Sequence, residues 1–399
     1  MAESQIKPLT YDQLAVAIAG NAVAIRTRTR LQPAAGAGTK VFPPTHTGGL
    51  YAMEKRRLPF GHDSSETREA DCVLLDSVQS QANRIEDSLQ DAVDRKMISI
   101  PLIVVQFGDT VPDIQRVTSL QAPHRVADAI LRDSLLGGTP FRQSMIGQSV
   151  TDSSLANATA LFRYCPHALV LGVWDSTGPK GGSGAKFARA LVSEIVGIDA
   201  IIGKKTSSRI DPLQARAAVK VIKEKDGSWK IAKDDKAKGA VSPSEINHGN
   251  IPPDVADGSA TIAYAEHSAV LSLAQLRRLR FPKDGEYNSQ AEDAVRTVLA
   301  SLALVGLTLS IERGADLRSR CLLFPDSQLQ FELLDQPGKP VSFTLTSKEA
   351  IQLLETAVKN AAKLGMQWES TPVLLTPSDE LIALVQKSQQ HAALSAEGE

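Results

Sequence analysis

Arg26, Arg28 and Arg30 occupy alternate positions in NAVAIRTRTRL, residues 21–31. On an extended strand alternate side chains share one face and recur every ~6.6 Å. That is close to the phosphate repeat of an extended single-stranded nucleic acid, so the three guanidiniums could follow such a backbone. The opposite parity holds Val23, Ile25, Thr27, Thr29 and Leu31, which should turn inward. A solvated strand of ordinary function would show the same alternation.

Residues 32–50 form a Gly/Pro-rich stretch containing Lys40 and no acidic residue; the next acid is Glu54. A loop rich in backbone N–H groups and free of carboxylates suits a phosphate chain, and equally a plain surface loop. A second Gly-rich run, Gly178 to Lys186, follows a predicted strand as a phosphate-binding loop should. It fails the nucleotidase pattern: Ala185 separates Gly184 from Lys186, and Phe187 stands where a Ser/Thr would ligate a metal ion. A phosphate- or nucleotide-binding enzyme using this loop is the alternative reading. Lys180, Lys186 and Arg189 could grip nucleic-acid phosphates there instead. Ser183 does not complete a nucleophile elbow.

No other chemistry assembles. The seven histidines show no metal-ligand spacing, and His124 and His167 read as structural or RNA-facing. The carboxylates of Asp71–Asp76 and Glu86–Asp94 read as a solvated helix face. Three scattered cysteines argue against a disulfide scaffold and a cysteine zinc site. No catalytic residue, metal or cofactor is expected, and a reducing cytoplasm is the simplest compartment.

These side chains need elements to hold them. Thr10 to Gln13 is a capping box and Gly20 a helix stop, which predicts a helix over 11–19 before the arginine strand. That placement fits better than a secretory signal for the apolar run 14–25. Helical spacing of Leu74, Val78, Ala82, Ile85, Leu89 and Ala92 predicts a helix over 74–93. Strands are expected at 100–107, 168–174 and 189–198, and a helix at 123–136 with His124 and Arg125 at its N-terminal end. Residues 219–232 read as a hairpin about Asp226-Gly227, and 240–258 as loop. Helices follow at 272–280, 291–304 and 348–364, and the last dozen residues read as a frayed tail. The most apolar window, Leu299 to Ile311, is too short to span a membrane. The alternation of strands and helices predicts an α+β sheet protein of ferredoxin-like or RNA-recognition kind.

Lys+Arg number 44 and Asp+Glu 45, a net charge of −1, which is not the basic balance of a typical nucleic-acid-binding domain. The distribution is uneven. Residues 1–62 hold eight basic and three acidic side chains, residues 178–238 fourteen and seven, and residues 284–399 nine and sixteen. Basic segments and an acidic C-terminal region suggest one face for a polyanion and another for a different contact. Aromatic residues are 5% of the chain, too few for stacking to be the main mode of binding.

Several ordered motifs carry a family resemblance: IRTRTRLQP (25–33) with VFPPT (41–45), LLDSVQSQANR (74–84), and Pro123-His124-Arg125. WDSTG (174–178), KFARALVSEIVG (186–197), SSRIDPL (207–213), LRRLRFP (276–282) and LRSRC (317–321) follow. From about residue 20 to 325 the chain resembles backbone subunits of type I-G (formerly I-U) CRISPR effector complexes. These form the Csb-type branch of the RAMP superfamily, in the Cas-seven group.

The resemblance implies a modified RRM/ferredoxin-like palm, a hairpin thumb and helical additions. It divides the chain into a palm over 1–202, a basic thumb-like insertion over 203–262, and palm completion with an acidic helical region over 263–399. It implies a multi-copy, non-enzymatic subunit that polymerises along CRISPR RNA. Its partners would be the guide, target DNA through the guide, further copies of itself, and the large and crRNA-processing subunits, with no membrane. Arg26, Arg28, Arg30 and Lys40 would then lie along the guide, with Lys180, Lys186, Arg189, Lys204, Lys205 and Arg209 on adjacent phosphates. Asn83, Arg84, His124 and Arg125 are second-rank candidates that could instead brace the palm. Related type III subunits cut RNA with a first-loop aspartate. Residues 32–53 contain no Asp or Glu, so no nuclease activity is expected.

Overall fold

The computed structural model describes residues 6–59, 66–111, 113–178, 186–224 and 227–396. They belong to two compact units, Met1–Ile201 with Thr261–Ser378, and Ile202–Ala260 with Asp379–Glu399. The protein is mixed α/β, and its largest element is a nine-stranded sheet.

The capping box forms as expected. Thr10 Oγ1 accepts from the Gln13 N–H, and Gln13 reaches back to the Thr10 N–H, which starts helix α1 (Tyr11–Ala19). Strand β1 (Ala24–Pro33) follows with Ile25, Thr27, Thr29 and Leu31 buried. Val23 lies before the strand and is exposed.

The other strands of the sheet are β2 (Met53–Pro59), β3 (Thr67–Asp76), β4 (Leu191–Ile198), β5 (Tyr264–Ser272), β6 (Ala315–Arg318), β7 (Cys321–Pro325), β8 (Phe331–Gln336) and β9 (Lys339–Phe343). They pair antiparallel in the order β6-β7-β1-β5-β4-β3-β2. β8 shares an edge of β1 with β7 and pairs on its other side with β9. Helix α2 (Val78–Asp94) lies against one face. On the other face, at the β2–β3 end, Ala70, Cys72, Val196 and Ile198 form a small apolar cluster with Leu58, Leu74 and Tyr264.

α2 begins four residues later than helical spacing suggested. Ser77 caps it by accepting the Ser80 N–H, and Leu74 belongs to β3. Pairing with both β2 and β4 claims that segment, and a strand flanked on two sides outweighs the helical spacing of a single leucine. Helix α3 (Ser289–Glu312) is buried along most of its length. By length and composition it could cross a membrane, but 94% of its apolar window is buried inside the fold. Gly306 lets it approach α2: a Cβ there would stand 2.7 Å from Ile85 Cγ2. Helix α4 (Ser347–Lys363) opens on a second capping box, Thr346 with Glu349.

Three local expectations are corrected. Residues 123–136 are not one helix but a 3-10 turn (Arg125–Ala127), a short helix (Ala129–Arg132) and a strand (Ser134–Leu136). Arg125 adopts a φ of 54°, and Asp128 accepts both the His124 and Ile130 N–H groups. Together these divert the chain. Residues 166–171 are helix rather than strand, ended by Gly172 at φ 84°, with only Val173–Trp174 extended. Every residue of that helix is buried, so no alternation exists to distinguish the two periods. Within 240–258, Ile251 begins a strand running to Thr261 and pairing with Ile201–Arg209. The expected strands at 100–107 and 189–198 appear as Ile103–Gln106 and β4. The former lies in a separate five-stranded sheet beside Val373–Pro377, which it pairs in parallel.

In the second unit, Val221–Lys223, Trp229–Ile231 and Ala240–Val241 form a small three-stranded sheet. Its hairpin occupies the expected place, although Asp226 lies outside the described residues. The C-terminal dozen does not fray at its start: helix α5 spans Asp379–Ala396.

Candidate nucleic-acid interface

The β1 arginines project from the face opposite the buried threonines, and each meets a carboxylate. Arg26 Nε lies 2.5 Å from Glu332 Oε2 on β8, and Arg28 Nη2 lies 2.6 Å from Glu266 Oε2 on β5. Arg30 Nε is 3.9 Å from Asp326 Oδ2, and its guanidinium sits 3.9 Å above the Tyr264 ring. Nearby, Arg56 is held by Glu54 and by Glu194 at 2.9 Å. The cationic rail is therefore present in geometry and largely compensated in charge. Its side chains remain 41–60% exposed. Exposed pairs of this kind are worth about 0–1 kcal/mol each, so a phosphate can displace the carboxylate at small cost.

Beneath the same strands runs a buried polar chain. Ser193 Oγ lies 2.6 Å from His267 Nε2 and donates to Gln81 Oε1 at 2.9 Å. Gln81 Nε2 donates to Asp76 Oδ2 at 2.6 Å. Burial pushes His267 down to about 4. The serine and histidine are both buried, and the aspartate contacts Gln81 rather than the histidine, so the chain joins α2 to the sheet rather than forming a nucleophile with its base. Arg84 belongs to this brace: it donates to Asp76 Oδ2 at 3.0 Å and to the carbonyls of Asp316 and Leu317. Asp76 is 1% exposed, which corrects its reading as part of a solvated helix face.

Glu86 is buried too, which corrects its reading as part of a solvated helix face. Arg125 Nε and Nη2 donate to the two Glu86 oxygens at 2.7 and 2.8 Å, and Nη1 donates to the Gly172 carbonyl at 2.9 Å. The side chains are 8% and 3% exposed. Burial pushes the Glu86 carboxyl up to about 7 against the pull of Arg125. Arg125 is thus a brace tying α2 to the end of the 166–171 helix. His167 is fully buried and lies 3.1 Å from the Ser119 carbonyl. Burial pushes it down to about 3 and pushes the Cys165 thiol, 3.4 Å away, up to about 12.

Above this brace opens a cleft of about 900 Å³. The strand pair Val173–Trp174 with Lys186–Phe187 forms one wall, and Asn83 and His124 lie exposed at the rim. Trp174 is 56% exposed, and Lys186, directly opposite on the paired strand, holds its Nζ 5.2 Å from the indole centroid. The stem of Arg189 crosses Gly172, where a Cβ would meet its Cγ at 2.9 Å.

The cleft is cationic because its acid is already engaged. Asp175, the one carboxylate among the described lining residues, accepts from Arg142 at 2.8 Å with both oxygens. Arg132 pairs with Asp133 at 2.7 Å, and Arg278 Nη1 donates to the side-chain oxygen Oε1 of Gln275 at 3.3 Å. Among the described residues Lys186 and Arg189 meet no carboxylate, and the buried Arg189 Nε has no hydrogen-bond acceptor. Burial, and then the neighbouring Arg125, pull the Arg189 guanidinium below its ordinary value.

The remaining candidates are dispersed. Lys40 is exposed in the first loop. In the second unit Lys204 pairs with Asp257 at 2.5 Å, Lys205 lays its stem along Gly258, and Arg209 donates to the carbonyls of His248 and Gly249. Lys180 and most of the Gly178–Lys186 run lie outside the described residues. Sequence reasoning assigned no role to Trp174, Gln275 or Arg278. The available signal was a tryptophan standing immediately before a polar turn and close to a lysine. Among the described residues no group of His, Cys, Asp and Glu is arranged to hold a metal ion.

No curated protein matches the chain. Residues 25–202 match the family described as CRISPR-associated protein GSU0053 (Cas_GSU0053). The matched segment contains β1 but for Ala24, α2, Arg125 and both strands of the cleft wall, and over these residues the chain is similar to that CRISPR-associated family.

Proposed function

We propose that the protein is a CRISPR RNA-binding backbone subunit of an interference complex, in which several copies follow one guide and present it to target DNA. The cationic cleft carries this reading: a segment similar to a CRISPR-associated family forms a groove in which Lys186 and Arg189, neither in an ion pair with a described carboxylate, stand beside an exposed indole. The β1 arginines add exchangeable phosphate contacts that give salt-dependent, sequence-independent affinity. In this reading the nine-stranded sheet serves as a modified RNA-recognition palm and residues 203–262 as a thumb. The subunit works in the cytoplasm, holds RNA without cutting it, and leaves cleavage to another protein.

The test is expression with the neighbouring genes and a repeat–spacer array, followed by sequencing of co-purified nucleic acid. The expected result is spacer-containing RNA of uniform length in a complex holding several copies of this chain. Nucleic-acid-free monomer at low salt would refute the role. Mg²⁺-dependent cleavage of bound RNA by the purified protein would refute its non-enzymatic part.

A further inference from the structure

The cleft has more specific features than a general phosphate track needs. Glu86 spends both oxygens on Arg125, so the two neighbouring guanidiniums, Arg125 and Arg189, share one carboxylate and leave an excess positive charge. The buried Arg189 Nε–H has no acceptor, which is costly, and the half-buried side chain leaves the rest of its guanidinium to give a phosphate charge-assisted bonds. Gly172 leaves room for the arginine stem; any side chain there would collide with it.

The second feature is apolar and flat. Trp174 exposes 56% of its surface at the wall of the same cleft. An indole beside cations is the combination that holds a nucleobase together with its phosphate. Lys186 across the strand pair can reinforce the indole face. Gln79, Asn83 and Gln275 line the cleft with amides, which offer both donors and acceptors to a base edge. The volume of about 900 Å³ lies in the range of small-ligand sites, larger than a lone inorganic anion requires.

We propose that this cleft takes one nucleotide of the bound single-stranded RNA, its base stacked on Trp174 and its phosphate held by Arg189 and Lys186. The proposal rests on the RNA-binding reading and adds to it a defined nucleotide site away from the β1 rail. A free nucleoside phosphate offers the same chemistry, and the experiment separates the two.

The test uses full-length protein stripped of nucleic acid in high salt. Trp229→Phe with Trp368→Phe leaves Trp174 as its single tryptophan. RNA binding is followed independently by anisotropy of a labelled 12-nucleotide RNA across a salt series, while indole fluorescence is titrated with the same RNA and with AMP. The expected result is quenching of Trp174 in step with RNA binding and little response to AMP. Trp174→Leu should weaken RNA binding about tenfold. Arg189→Gln should lower the slope of log affinity against log salt by about 0.7. Trp174 is solvent-facing, so its variant tests the site even if Arg189→Gln fails to fold. RNA bound with no quenching and no loss in either variant would overturn the nucleotide site and leave the RNA-binding reading intact. Quenching by AMP, with RNA affinity unchanged in Trp174→Leu, would overturn it in favour of a free-nucleotide site. No RNA binding in any condition would overturn both.

Discussion

Arg125 decides whether the cleft floor is a brace or a contact. Replacing it with methionine keeps most of the stem and removes three hydrogen bonds, two to Glu86 and one to the Gly172 carbonyl. Glu86 is then left 3% exposed with no cation bonded to it. Breaking one side of a buried pair costs about 3–5 kcal/mol, because the remaining charge is uncompensated. Arg125→Met should therefore lower the unfolding free energy of the RNA-free protein by that amount in a denaturant titration.

The loss should depend on pH. Burial already pushes Glu86 up to about 7 with the arginine present. Without the arginine it moves higher, while the unfolded carboxyl titrates near 4.5. The folded variant then holds a proton that the unfolded chain has released, so its stability falls as pH rises above about 4.5. The penalty of Arg125→Met should accordingly be smaller at pH 5 than at pH 8. Adding Glu86→Leu removes the stranded carboxylate and should recover most of the loss, since apolar replacements of buried pairs are often neutral or better. A single variant as stable as the parent but deficient in RNA binding would refute the brace. So would a double variant no more stable than Arg125→Met.

Three further outcomes follow from the same geometry. Burial holds His267 at about 4 against an ordinary value of 6.5; its contribution is present above pH 6.5 and lost as pH falls toward 4. The slope is up to ~1.4 kcal/mol per pH unit; His267→Asn should flatten the acid limb of the stability curve, and an unchanged limb would contradict the assignment. Glu266→Gln should free Arg28 and raise RNA affinity at low salt up to about fivefold, the scale of an exposed pair, and filter binding that weakens instead would show that the carboxylate itself assists. Gly147→Ala places a Cβ 1.7 Å from the Phe141 carbonyl oxygen, so the midpoint of denaturation should fall by at least ~2 kcal/mol equivalent; an unshifted midpoint would mean that the turn relaxes freely.

Local periodicity made some of this protein readable before any fold was known. The capping box at Thr10, the inward Thr27 and Thr29, the outward Arg26, Arg28 and Arg30, and the core of α2 all depend on residues within one or two turns or one strand. The repeats of 3.6 and 2 are properties of the backbone itself, so the sequence alone determines which side chains share a face. It does not determine what faces them. Glu332 reaches Arg26 across 306 positions and Glu266 reaches Arg28 across 238, which turns an apparently free cationic rail into compensated pairs. Glu86 looked solvated because its partner lies 39 positions away on a turn misread as helix. The cleft is a tertiary object in the same sense: α2, the turn at Arg125, the strand pair at Trp174 and Lys186, and the segment at Gln275 converge only through packing. Charge at a site is a sum over neighbours in space, and only the fold supplies those neighbours.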